Sequence, residues 1–346
     1  MFWSTKKTTR RARLNVSALE RRDTPSTTLI RVGDTITVTG DGAADTVKVS
    51  ILDATNSLQV STSQGIFGFA SSDIKTINVN LNGGDDNLTV QLGNGTESAV
   101  SLTRAKTINA NLGDGNDNAT MFFGGLGVPG RVIAANLNLI VHAGNGDDSV
   151  VGNFGEIQKA LKFQTFMGNG NDDSFAGIWG TIDAGASAKI DFHGEAGNDS
   201  LNTFATYVND YDQVDIGFGG LLDIGLNGGD GNDSLGTTYG GADHGKLKVR
   251  EDGGNGNDHV TAELHLVTPK FFPLTFGTAD VVLRGGSGFD GLELDVYGRA
   301  RTHRFLIDGG SGFDHAKGTS NVTIVNANEL GGIILNPPPG GIGNTL

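Results

Sequence analysis

The chain has 346 residues, 55 of them Gly and none Cys, with 25 basic against 39 acidic residues and a formal net charge of −14. Disulfides and thiolate chemistry are therefore excluded, and nucleic acid and anionic membrane surfaces are disfavoured as partners because both are polyanions. No apolar stretch is long enough to insert across a bilayer, whereas the length suffices for one domain with a substantial continuous core.

The first element is a basic leader, residues 1–31. It holds Lys6, Lys7, Arg10, Arg11, Arg13, Arg21, Arg22 and Arg31 against Glu20 and Asp23, a net of +6 that leaves −20 for the remainder. It lacks the apolar run of roughly 7 to 15 residues of a conventional secretory signal and is expected to be disordered. Leu19-Glu20-Arg21-Arg22-Asp23-Thr24-Pro25-Ser26 resembles an L-E-x-R-x-T-P-S leader at the start of many large bacterial surface or exported proteins. That resemblance implies a secreted or cell-surface location.

From residue 32 to 336 one unit recurs. A Gly-rich turn ends at Asp86, Asp117, Asp148, Asp172 (with Asp173), Asp199, Asp233, Asp258, Asp290 and Asp314, and each of the nine has Gly two residues earlier. An apolar residue usually follows two after the Asp, as in Leu88, Val150, Leu235 and Leu292. Nine and seven residues before it stand pairs such as Ile77 and Val79, Leu139 and Val141, Ile224 and Leu226, and Phe305 and Ile307. Period-two alternation marks a strand with one buried face. The residues six before the Asp point outward, and eight of those nine are polar: Asn80, Asn111, His142, His193, Asn227, Asp252, Arg284 and Asp308, with Phe166 the exception.

Successive turn aspartates are 24 to 34 residues apart, with a mean of 28.5. A unit of that size cannot bury its apolar face alone, so the units must stack. Helical repeats are excluded by the Gly, Asn, Thr and Ser content; only a short stretch near Gln158 to Phe163 spaces its apolar residues three or four apart. The predicted fold is all-β, a right-handed parallel β-helix (β-solenoid) with rungs of about 28 residues, followed by a Pro/Gly-rich tail at 337–346. Segments 124–131 and 268–277 are candidate loops on one side. Gly40 to Asp45 reads as a candidate remnant first copy.

Asp outnumbers Glu by 31 to 8. A general solubility or disorder bias would favour Glu, whereas turns and oxygen-ligand sites favour the shorter Asp. Four turns read GGxGxD in full, at 228–233, 253–258, 285–290 and 309–314. They resemble the repeats of hemolysin-type (RTX) calcium-binding proteins, GGxGxDxUx with U a large apolar residue. The resemblance implies that turn carbonyls and Asp carboxylates hold calcium: here Asp86, Asp117, Asp148, Asp172, Asp173, Asp199, Asp230, Asp233, Asp258, Asp290 and Asp314. Independently of it, Gly can take φ > 0 and turn successive carbonyls inward, and Ca²⁺ takes six to eight oxygens. Aspartates stacked ~4.8 Å apart repel by about 0.9 kcal/mol in water and about 3.5 kcal/mol at an effective dielectric of 20; a cation between rungs removes that cost. The alternative is ordinary Asn/Asp-Gly turns stacked through side-chain hydrogen bonds.

The array departs from the family in having one motif per long rung instead of tandem nonapeptides. Its amino-terminal copies also carry Leu81, Leu112, Ala143 and Met167 at the first Gly position. Enzyme signals are poor. Lys246, Lys248 and Arg250 alternate on one strand face, and Arg299, Arg301, His303 and Arg304 cluster near Tyr297; both read as solvated faces. Phe289 and Phe313 occupy equivalent turn positions and should stack. The sequence therefore points to a calcium-binding extracellular structural or adhesive β-solenoid, with cell-surface glycans or matrix as candidate partners. A polysaccharide-active β-helix enzyme is the alternative, and converging cations and carboxylates in a groove on one sheet would favour it.

Overall fold

The computed structural model describes residues 26–93, 100–125, 130–205, 215–241, 244–266, 277–298, 300–319 and 321–327. The remainder of the leader, residues 126–129 of segment 124–131, residues 268–276 of segment 268–277, and the 337–346 tail lie outside the described residues. Two 12-stranded sheets face one another. Each rung crosses the first sheet, makes the Gly/Asp turn, crosses the second sheet and returns; Leu221–Asp230 and Ser234–Gly241 form one such rung. On the return side a small sheet stacks Val100–Leu102, Arg131–Ile133 and Glu156–Ile157. Single bridges carry it on through Ile157, Ile182 and Ile216.

The strands are parallel and in one register throughout the repeat. Phe163, Ile190, Ile224, Val249, Val281 and Phe305 pair in succession, and all are buried. The apolar phase of the sequence thus becomes columns running along the solenoid axis. Each fully buried Leu, Ile or Val contributes about 1.5–3 kcal/mol. Phe154, Phe163 and Phe192 meet edge to face at 5.4 Å, the offset geometry that aromatic quadrupoles favour. Leu81, Leu112, Ala143 and Met167, which replace the first turn glycine, also enter the core.

Outward columns are equally regular. Phe166, the exception among the outward polar residues, lies sandwiched between His142 at 4.7 Å and His193 at 4.9 Å. The stretch near Gln158 to Phe163 is no helix; Ala160–Asn169 is a strand, because its inward alternation of Leu161, Phe163 and Thr165 dominates.

At the amino-terminal end the parallel stacking is capped by antiparallel strands. Thr28–Val32 pairs with Thr35–Thr39 in the first sheet, and Ser57–Thr62 and Gly65–Ala70 close the second. Residues 28–31, counted with the basic leader by charge, therefore belong to the solenoid. The Thr-Leu-Ile-Arg-Val run favours a strand, and Gly33 at φ +63° supplies the hairpin turn.

One inward position carries an acid. Glu251 sits between Leu226 and Leu283 in its column and is 1% exposed. Burial pushes its carboxyl up to about 8, with the Thr237 hydroxyl opposing part of the effect. Thr237 and Thr203 place their hydroxyls 3.0 Å apart within the same core.

Two predictions follow from the column geometry. Ile307→Asp should lower unfolding free energy by about 3 kcal/mol or more through unpaired charge burial, while Asn227→Asp on the exposed face should change it by no more than about 0.5 kcal/mol in denaturant titrations. Equal effects would show the faces to be misassigned. For Glu251, the folded pKa near 8 exceeds the ordinary Glu value of about 4.3, so the folded state holds a proton that the unfolded chain has released. Its contribution is complete below pH ~4.3 and is lost as pH rises to about 8, by up to about 1.4 kcal/mol per pH unit. Glu251→Leu should remove this dependence, so its stability advantage over wild type should widen from pH 5 to pH 8; a constant difference would refute the assignment.

Candidate metal-binding column at the turns

All nine turn aspartates align on one edge, and Asp45 of the Gly40 to Asp45 run joins them as a tenth. The backbone N–H of each donates to Oδ1 of the aspartate one rung later, over 2.7 to 3.2 Å, from Asp45 through Asp290 to Asp314. Every one of these side chains is no more than 3% exposed. A charge-assisted N–H to carboxylate bond is about twice as strong as a neutral one, so the column ties successive rungs together along its length.

The second carboxylate oxygen has no hydrogen-bond partner. Oδ2 of Asp86, Asp117, Asp148, Asp172, Asp199, Asp233, Asp258, Asp290 and Asp314 is buried and unpaired, as is Oδ1 of Asp45. In the full GGxGxD copies its neighbour is a carbonyl of the next rung. Asp258 Oδ2 and Gly285 O both lie 2.5 Å from the point where a Cβ on Gly253 would sit, and Asp290 Oδ2 and Gly309 O bear the same relation to Gly285. Two acceptors facing one another across a buried space repel.

Electrostatics record the same frustration. Burial, followed by the charges of neighbouring aspartates, pushes Asp86 and Asp148 up to about 7 and Asp172, Asp199, Asp233, Asp258 and Asp290 up to about 6, although the backbone N–H opposes the shift. Asp117 is raised as well.

Two outer ladders flank the column. Asp85, Asn116, Asp147, Asn171, Asn198, Asn232 and Asn257, each just before the turn Asp, accept through Oδ1 the N–H of the following rung. Phe289 and Phe313 continue this line as an exposed stack with centroids 5.7 Å apart. A third ladder joins Asn145 to Asp114, Asn169 to Asn145, and Asn255 to Asp230 through side-chain amides. Asp230 thus belongs to an exposed ladder. Asp173 opens a strand on the outer face, in register with Ser149 and Ser200. Neither stands in the buried column: Asp173 follows Asp172 directly and so falls on the opposite side of the pleat, and Asp230 ends the strand that enters the turn.

Among the described residues no three His, Asp or Glu side chains converge as a metal site. Any ion at the column must draw on backbone carbonyls beside the orphaned Oδ2 atoms. That donor set is all oxygen and partly anionic, which fits a hard divalent cation. No protein-family model, curated protein or solved structure matches this chain, so the likeness to hemolysin-type repeats rests on the turn residues themselves.

Stacking explains the glycines. Gly256 holds φ +138°, and a Cβ there would overlap the Gly231 carbonyl oxygen of the preceding rung. Gly256→Ala should therefore cost about 3 kcal/mol or more in denaturant unfolding. Gly42, with open space around its Cβ position, should accept Ala within about 0.5 kcal/mol; a silent Gly256→Ala would contradict the rung stacking.

Proposed function

We propose that this chain is a calcium-stabilised structural or adhesive β-solenoid of a secreted or cell-surface protein. The observation that carries the reading is the buried line of aspartates, each with one oxygen tied to backbone and the other without a partner, a carbonyl standing beside that oxygen from Asp199 onward. Asp233, Asp258, Asp290 and Asp314, with the carbonyls of Gly253, Gly285 and Gly309, are the groups that would hold the ions. The calcium supplies positive charge where carboxylate and carbonyl oxygens otherwise oppose one another. Extracellular calcium is abundant enough for weak repeated sites of this kind, and the acidic body favours cations over polyanionic partners.

Two of the cationic groups that could have suggested a polyanion-cleaving enzyme, Arg250 and Arg304, are engaged on the outer face of the first sheet. Arg250 pairs with Asp223 at 3.1 Å and Asp280 at 3.7 Å, and Arg304 with Asp280 at 2.7 Å. Arg299 lies outside the described residues. These pairs support the scaffold reading over a lyase.

Binding to the folded state alone raises stability by mass action, by about 2.7 kcal/mol at a hundredfold excess over Kd. Melting in millimolar calcium should exceed melting in chelator. Asp258→Asn should abolish part of that difference while leaving the protein in chelator at least as stable as wild type, since an amide Nδ2 in place of Oδ2 can donate to the facing carbonyl. Asp280→Asn loses two surface ion pairs and should lower both melting temperatures equally. If chelator changes neither melting nor circular dichroism, and calorimetry detects no binding at millimolar calcium, the turns are hydrogen-bonded structure only.

A further inference from the structure

The outer face of the second sheet carries a feature that the turn column does not use. A groove of about 900 Å³ runs along it, lined among others by Phe175, Phe204, Gly236, Glu263, Glu293 and Asp295. Two outward columns define its course. Phe175, Asn202, Gly236, Thr261 and Glu293 pair in succession, as do Phe204, Thr238, Glu263 and Asp295. With Val151, which pairs with Phe175 and also lines it, the groove spans six rungs, about 24 Å at ~4.8 Å per rung.

Its two ends differ in aromatic content and in the number of acids, Asp173 being the one carboxylate beside Phe175 and Phe204. The aromatic end is held in place: Trp179 packs on Phe204 with centroids 5.3 Å apart, and its Nε1–H donates to Asn153 Oδ1 over 2.9 Å. At the middle Gly236 removes a side chain from the column and the floor drops; a Cβ there would lie 2.6 Å from Asn202 Oδ1. Thr238 and Thr261 offer hydroxyls beside it. The far end carries Glu263, Glu293 and Asp295, with Lys317 contacting Glu293 and standing 3.8 Å from Asp295. Three carboxylates against one ammonium leave that end anionic. His265, 2.8 Å from Glu263, lies at its margin.

We propose that this groove binds a linear glycan whose units bear hydroxyl or ammonium groups and no carboxylate or sulfate. Its volume is that of a small-molecule site, yet its extent along the axis suits a chain of repeating units over a compact ligand. Phe faces accept the apolar C–H faces of sugar rings. Asn, Thr and carboxylate side chains accept hydrogen bonds from hydroxyls, strongly so where the acceptor is charged. The anionic end repels polyuronates and sulfated chains. The inference supplies a ligand for the adhesive part of the proposed function and does not depend on calcium.

Calorimetry on the full chain with cellohexaose, a chitosan hexamer and a galacturonic acid hexamer tests it, in calcium and again in chelator. Binding of cellohexaose, of the chitosan hexamer, or of both is expected, and the first two arms separate hydroxyl from ammonium recognition. Thr238→Trp, which fills the groove from its floor, and Phe204→Ala should each weaken that binding at least tenfold while the calcium-dependent melting shift stays as in wild type. No binding of the first two probes by wild type at millimolar concentration, a preference for the galacturonate, or affinity unchanged in both variants would each overturn the proposal. A calcium effect that fails while groove binding persists would sink only the turn assignment.

Discussion

The structure depends on one repeated contact, the backbone N–H of a turn aspartate donating to the carboxylate of the aspartate one rung on. Parallel strands alone fix rungs only through slanted ladder bonds, which leave the turns free to slide or splay. The aspartate column adds a charge-assisted bond at the same place in every rung, from Asp45 to Asp314. The outer Asn and Asp ladder runs in the opposite sense, with the later rung's N–H donating to the earlier rung's side chain. Each turn is consequently gripped from both neighbours, and a rung cannot shift register without breaking bonds of both directions.

That grip requires close approach, which explains the composition. At Gly254, Gly256, Gly286 and Gly288 the backbone is at positive φ and a Cβ would overlap a carbonyl of the preceding rung. The glycines are therefore a consequence of stacking as much as of turn conformation. The same closeness buries the carboxylates, and a buried carboxylate satisfied at only one oxygen is an unfavourable object. Proton or cation can relieve it. The raised pKa values of the column report the protonic route, and the proposed calcium is the other.

Much of this was legible in the sequence because period-two alternation and a fixed turn phase leave few arrangements. Ile224, Val249, Val281 and Phe305 could be placed on one inward column from spacing alone, and the alignment of Asp233, Asp258, Asp290 and Asp314 followed from it. The burial of those aspartates was not legible. A GGxGxD string marks a turn without saying on which side of it the carboxylate lies, so Asp173 and Asp230 looked equivalent to members of the column. Glu251 was hidden for a related reason: it occupies an inward position that apolar neighbours made regular. The groove was invisible because Phe175, Gly236, Glu263 and Asp295 are far apart in sequence and meet only through the register of rungs of unequal length.

The two halves of the array leave the same orphaned oxygen in different surroundings. In the amino-terminal rungs Leu81, Leu112, Ala143 and Met167 stand at the first turn position and fill the interior beside the column. Those rungs gain apolar burial. From Gly194 onward the same position is glycine at 228, 253, 285 and 309, and the space a side chain would take is bounded by Oδ2 and the next rung's carbonyl. Those rungs forgo about 1.5–3 kcal/mol each of hydrophobic contribution, and a Cβ would lie only 2.4–2.8 Å from these oxygens. In place of an apolar side chain they bring the facing carbonyl oxygen up to the buried carboxylate. A cation between the two oxygens would relieve their repulsion, which places the weight of the proposed calcium dependence on the half between residues 194 and 314.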